Sequence, residues 1–336
     1  MNKRIVSALV LAGMIASTSA FASNARELVM GTGGAGSYSN GGSFYYEDAY
    51  NFFYNPAYVN DYKNWAIFEK GNGNDGASFG FVSSMMNMNL GMFFNRNAAL
   101  YTGTNAIDVM LGGDMGVKWG LGLTYGNRKL ANNSSQNSLD VRLGVTASGF
   151  DPFLHVLVMG NDKTNSADST KRSAFGGGLR YHYGEWTPYA AIQTLKVTDV
   201  PTSADQKTTY WVVGLGRETK LAEGARLVYS LYYDAGKVKT TPANSETKTS
   251  ELPIDMAIEA DALSWLTLRG GVNHVLVGGD GHTTARIGGT FHVAKVDLDY
   301  AFGNTTGAGS TTTTVDSADV GFDSGTFHQI GMRYSW

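Results

Sequence analysis

From about Asn64 to its end the chain is cut into short segments whose side chains alternate between apolar and polar, and the connections between those segments alternate in length. In Ser138–Gly149, the residues Leu139, Val141, Leu143, Val145 and Ala147 fall on one side, and Asp140, Arg142, Gly144, Thr146 and Ser148 on the other. A period of two means a strand. The pattern recurs in Trp119–Asn127, Phe175–Gly184, Ala225–Gly236 and Lys295–Asn304. Short connections lie at Tyr183–Trp186, Leu221–Ala225, Asp261–Trp265 and His292–Lys295; longer polar ones lie between them at Gly160–Lys171, Asp199–Lys207, Lys239–Lys248 and Asn304–Gly325. Short turns at one end and long loops at the other describe a transmembrane barrel. A soluble sandwich has no reason to keep that parity along the whole chain.

The expected fold is therefore all-β: a transmembrane antiparallel up-and-down β-barrel of about sixteen strands, preceded by a short N-terminal helix or plug segment. Strands are expected to begin near Asn64, Gly76, Met88, Asn105, Val117, Ser138, Pro152, Arg172, Trp186, Thr208, Ala225, Lys248, Trp265, His282, Ala294 and Thr326. Fourteen is the alternative count, because the first four strands are weakly patterned. An even number puts both termini on the periplasmic side. Trp65, Trp119, Trp186, Trp265 and Trp336 then fall at periplasmic strand ends and only Trp211 at the outer end, the distribution expected of an aromatic girdle at one membrane interface.

Composition agrees. Residues 1–22 carry Lys3 and Arg4, an apolar run from Ile5 to Ala16 and a small-x-small end at Ala20-Phe21-Ala22, which is expected to be a secretory signal peptide cleaved after Ala22. Beyond it no stretch approaches ~18 consecutive apolar residues, so no transmembrane helix is expected. The chain has no cysteine, so neither a disulfide, a thiolate metal site nor a lipid anchor is available. Losing Lys3 and Arg4 moves the formal charge from -3 to -5, spread along the chain, which offers no footprint for nucleic acid.

The last strand is Ile330, Met332, Tyr334 and Trp336 on one face and Gln329, Gly331, Arg333 and Ser335 on the other. This alternation with a terminal aromatic resembles the C-terminal signal of bacterial outer-membrane proteins. The resemblance implies that the barrel-assembly machinery is a partner during biogenesis, and outer-membrane lipid the final surroundings.

Between signal and barrel lies an expected segment 23–63. Gly31, Gly33 and Gly36 spell GxGxxG, but "SYSNGG" follows where a phosphate cradle needs a helix, so flexible linker is the reading. Asp48 is placed to cap a short helix that stops before Pro56. Glu47-Asp48-Ala49 and Asn55-Pro56-Ala57 resemble the N-terminal hatch of the long-chain fatty-acid transporter family (FadL type). That resemblance spans about fifteen residues and implies a plug in which Asp48, Asn55, Pro56 and Ala57 take part; a periplasmic extension packed on the barrel mouth remains the other reading.

Strand parity turns Asp140, Arg142, Arg180, His182, Arg226, Asp234, Asp255, Glu259, Arg269, Asn273, Arg286, Asp297, Asp299, Gln329 and Arg333 toward the lumen. Charges of both signs there could filter solutes, or pair across strands and only hold the wall. Glu259 is expected opposite Arg269, and Arg286 near Asp299. The inward glycines Gly120, Gly122, Gly176 and Gly178 leave room beside the wall. The six histidines sit on separate strands without a metal-site spacing, so no catalytic residue, metal or cofactor is expected. Three functions follow in order: a porin-like channel for passive diffusion of small hydrophilic solutes; a FadL-like uptake channel for hydrophobic molecules; and a structural or surface-recognition barrel with a closed lumen. Porins of this size are often trimers, so a homotrimer is among the expectations, although no feature marks a trimer face.

Overall fold

The structure, a computed structural model, describes residues 23–35, 41–71, 77–96, 106–129, 134–163, 169–199, 204–278, 281–306 and 326–336; the expected signal peptide, residues 1–22, lies outside them. The sheet begins with β1 (Trp65–Gly71), β2 (Ser78–Met85), β3 (Met88–Phe94), β4 (Ala106–Asp114) and β5 (Lys118–Lys129). It continues through β6 (Ser135–Thr146), β7 (Phe150–Lys163), β8 (Ser169–Tyr181), β9 (Trp186–Asp199), β10 (Ala204–Ala222) and β11 (Ala225–Thr241). It ends with β12 (Ser245–Leu263), β13 (Leu266–Gly278), β14 (Thr283–Val293), β15 (Val296–Thr306) and β16 (Thr326–Ser335). Every strand pairs antiparallel with its neighbours in sequence, and β1 pairs with β16, so the sheet is a closed barrel of sixteen strands. Closure leaves no edge whose N–H and C=O groups would lack partners in hydrocarbon. At the seam Ala66 faces Tyr334 and Phe68 faces Met332, and the Trp336 amide donates to the Asn64 carbonyl at 3.1 Å.

The outward side is apolar. Phe68, Leu143, Phe175, Ile192, Val213, Leu231, Ile258, Ile287 and Ile330 are all exposed, each on a different strand. A continuous apolar surface on this scale is unsuited to water and suited to lipid chains. Trp186, Trp265 and Trp336 are exposed at strand ends, as a girdle requires. Trp65 does not join them. Its ring is fully buried inside, 6.1 Å from that of Phe52, because position 65 shares the inward parity of Ile67 and Glu69.

The long polar connections are shorter than their sequence suggests. β10 and β12 each run for nineteen residues and β11 for seventeen, so most of Asp199–Lys207 and Lys239–Lys248 is strand. A membrane-spanning strand needs only ~9–11 residues. The remainder stands beyond the apolar belt, where both faces meet water and the alternation that marks a strand disappears. Pairing there is helped by Glu246, which binds Lys237 at 2.9 Å and Lys248 at 3.1 Å. Most of Asn304–Gly325 lies outside the described residues.

The segment before the barrel is folded. Ser23 caps the helix α1 (Asn24–Met30), its Oγ accepting from the Arg26 amide at 3.1 Å. Asp48 caps a 3-10 helix, η1 (Ala49–Phe53), accepting from the Tyr50 amide at 2.8 Å. Asn55 caps a second, η2 (Pro56–Asn60), accepting from the Ala57 amide at 3.1 Å. Gly31 and Gly33 are not flexible linker. Both have positive φ (84° and 61°) and are buried in a turn against the wall, where a Cβ on Gly31 would lie 2.7 Å from the Asp255 carboxyl carbon. Gly36 lies outside the described residues.

Candidate functional site

The site is the lumen with this segment inside it. α1 packs on β12 to β16, and η2 on β3 to β6. Phe44, Tyr45, Tyr46 and Tyr54 bury against the inward side chains Phe153, Tyr189, Val212 and Val228. Phe52, Phe53 and Val59 bury against Trp65, Val82, Phe93 and Met110. Phe44 stacks on Phe153 with ring centroids 5.7 Å apart. Segment and wall thus form the hydrophobic core that an empty barrel would lack.

Glycines on the wall admit the segment's backbone. A Cβ on Gly120 would run into the Pro56–Ala57 peptide, one on Gly144 into the Asn55 amide, and one on Gly271 into the Val29 carbonyl. The neighbouring Asn55 Nδ2 donates to the Val145 carbonyl at 3.1 Å, and Asn60 Nδ2 to the Trp119 carbonyl at 3.0 Å. Asn55, Pro56 and Ala57 therefore seat η2 on β5 and β6. The space beside Gly176 and Gly178 is taken instead by the wall's own His155 and Phe153.

Charged groups then lock the segment to the wall. Arg26, only 1% exposed, binds Asp48 and, at 2.9 Å through Nε, Glu259. Glu259 also receives Arg226 at 2.7 Å and Arg269, its cross-strand partner as expected. Burial alone would depress the Arg26 pKa, but the Glu259 and Asp48 carboxylates hold it above the ordinary value, so the guanidinium stays charged. A second lock centres on Arg180, which donates to Tyr54 Oη at 2.6 Å, to Glu47 at 3.0 Å and to Tyr58 Oη at 3.1 Å. Tyr58 and His182 both reach Asp151 at 2.5 Å. In a third, Arg142 donates to the Phe53 carbonyl at 2.7 Å and to Asp108 at 2.6 Å, and Asp108 also accepts from Arg96 at 3.1 Å.

Of the residues assigned inward by parity, Asp140, Arg142, Arg180, Asp255, Asp299 and Arg333 are buried, and His182, Arg226, Asp234, Glu259, Arg269, Arg286 and Asp297 half-buried. Arg333 binds Asp297, which also holds the His292 imidazole at 2.7 Å. Arg286 is not beside Asp299. The two-residue turn Ala294–Lys295 sets the register so that Arg286 faces Gly303 and Asp299 faces Thr290. Arg286 turns instead toward Asp255, at 3.7 Å. Arg26, Glu47, Arg96, Asp108 and Asp151 are the members that strand reading missed. Arg26 and Glu47 sit in the segment outside the strands, and Asp108 in a weakly patterned one; Ser23 before an apolar stripe at Ala25, Leu28 and Val29 is the signal that marks α1.

Space stays open between the segment and the wall. A cavity of about 520 Å³ lies beside α1, with Gly31 and Thr32 of the segment on one side and Asp255, Asn273, Arg286 and Gln329 of the wall on the other.

Similar architecture occurs in solved structures. A bacterial polysaccharide outer membrane secretin superposes with a TM-score of 0.52 at 8% identity, over 82% of this chain and 98% of that one. The FrpB iron transporter of Neisseria meningitidis gives 0.47 at 12% identity, over 73% of this chain and 54% of that one. The outer-membrane expressed OmpT of Vibrio cholerae gives 0.42 at 15% identity, over 81% and 95%. The chain has the fold of bacterial outer-membrane β-barrels. At these identities the likeness concerns fold alone. No protein-family model matches the chain, and no curated protein is significantly similar to it.

Proposed function

We propose that this protein is a bacterial outer-membrane channel for small hydrophilic solutes whose lumen is stoppered by its own N-terminal segment. The observation that carries the reading is the pairing of a charged inner wall with a segment locked into it by Arg26, Arg142 and Arg180. The wall supports a hydrophilic cargo: its inward polar groups include Asp, Glu, Arg, Asn and Thr, and much of the apolar inward surface is covered by the segment's aromatic rings. A hydrophobic-uptake channel needs an apolar chamber beside the hatch; the cavity beside α1 is of mixed lining, with Asp255, Asn273 and Arg286 next to Leu28 and Tyr232. Locks made of ion pairs and hydrogen bonds can open without unfolding the sheet, which closes on itself.

Planar-bilayer conductance tests this. The full-length protein is expected to be silent or to open rarely, and a chain lacking Arg26–Tyr62 to give large, frequent steps. R180A in the full-length chain, which loosens one lock without deleting core, is expected to raise the opening frequency. Large steady steps from the full-length protein would make the segment incidental, and silence from all three would leave a closed barrel.

A further inference from the structure

Arg286 differs from the other arginines of the inner wall. Arg142, Arg180, Arg226, Arg269 and Arg333 each donate to a carboxylate, carbonyl or hydroxyl. Among the described residues the Arg286 side chain makes no hydrogen bond; its Nη1 stands 3.7 Å from Asp255 Oδ1, beyond hydrogen-bond reach. Asp255 is otherwise engaged, one oxygen accepting from Asn273 Nδ2 and the other from the Gly33 amide, both at 3.0 Å. The guanidinium therefore borders the 520 Å³ cavity with its planar set of N–H donors unspent.

We propose that this cavity is a binding site for small carboxylate-bearing hydrophilic solutes, with the Arg286 guanidinium receiving the carboxylate. The proposal rests on the reading of the barrel as a solute channel. A guanidinium's fork matches a carboxylate in two parallel hydrogen bonds. The cavity volume falls in the range of small-molecule sites. Asn273 and Gln329 on the wall supply amide groups for a polyhydroxy chain. Glu27 also borders the cavity, and burial pushes its carboxyl up to about 8, so at neutral pH it does not repel an anion. Because Gly31 and Thr32 form one side, a bound solute touches the plug as well as the wall. It also places a second negative charge beside Asp255, which holds the Gly33 amide of the plug. Occupancy and plug release are coupled through that carboxylate.

The test is titration calorimetry on the full-length protein in detergent micelles with three ligands of one skeleton: D-gluconate, D-glucose and D-glucosamine. Gluconate is expected to bind about tenfold or more tighter than the other two, the difference that hydrogen bonds to a charged group make. R286Q is expected to bring gluconate down to the level of glucose. R286K, which keeps the charge and loses the fork, is expected to weaken it several-fold and decides the matter if R286Q does not refold. R217Q, which removes an arginine that binds Glu185, Tyr229 and the Trp186 ring, none of them bordering the cavity, is expected to change nothing. Equal binding of all three ligands, binding of none, or gluconate affinity unchanged in the Arg286 variants would overturn the site. Conductance does not enter this measurement, so a failed site leaves the stoppered-channel reading standing, and a failed channel leaves the binding result standing.

Discussion

A guanidinium taken out of water keeps its charge only if anions surround it, and Arg26 has two, Asp48 within its own segment and Glu259 on the wall. R26A leaves both carboxylates short of a cation, although Glu259 retains Arg226 and Arg269. The expected cost to docking of the segment is about 3–5 kcal/mol, the usual penalty for removing one partner of a buried pair. Proteinase K digestion of the refolded barrel reads it as faster cleavage within 23–62, and unchanged cleavage would mean that Arg26 is not a lock. Glu27 gives the same docking a pH dependence. Burial first, and the nearby Asp48 and Glu69 charges, raise its pKa to about 8 against the contrary pull of Arg96 and the Gly42 amide. Below about pH 4.5 the carboxyl is protonated whether docked or free, so docking carries no penalty from it. Between about 4.5 and 8 only the free form ionises, and docking weakens by about 1.4 kcal/mol per pH unit. Protease release is therefore expected to rise from pH 5 to pH 8, and E27Q to flatten that rise; an equally steep profile in E27Q would assign the titration elsewhere. None of this was legible in the strand pattern, because both residues precede the first strand.

Among the elements, η2 shows how a helix of five residues finds one seat. Asn55 caps it and reaches the Val145 carbonyl, and the missing side chains of Gly120 and Gly144 admit the turn. G120V fills that seat. It is expected to lift η2 off β5 and raise opening frequency in the bilayer while the sheet's circular dichroism stays intact. G270A is the control, since a Cβ there meets nothing within 4 Å. If both variants leave conductance unchanged, η2 does not gate. The expected and observed strands agree to within a few residues at most starts, for a reason local to each strand: one face meets hydrocarbon and the other the interior, so the period of two is written into the residues themselves. Where a strand passes the belt, as β10 to β12 do, both faces are wet and the period fades.

The whole molecule depends on the β1–β16 seam. Ile330, Met332, Tyr334 and Trp336 face outward, and the Trp336 indole stacks on Tyr334 at 6.2 Å while remaining half-exposed. W336S removes an aromatic from the surface together with its ring contact to Tyr334, itself exposed. We expect it to lower the fraction of chain assembled in cell outer membranes while shifting the stability of barrel refolded in detergent by less than about 1 kcal/mol. A matched loss in both would make Trp336 a structural residue rather than an assembly signal.

At this largest scale the sequence by itself determined an antiparallel barrel and which side chains of its well-patterned strands face in, because both follow from alternation along single strands and from the parity of the connections; it left the count between fourteen and sixteen, and closure of β1 on β16 decided sixteen. It did not determine who pairs with whom inside. Glu259 with Arg269 could be read, since one short turn brings them opposite each other. Arg180 with Glu47, or Arg26 with Glu259, could not, being 133 and 233 residues apart. Only the tertiary structure placed the N-terminal segment within the barrel, because its seat is shaped by absent side chains on distant strands and its charges are satisfied only when the cylinder has closed around it.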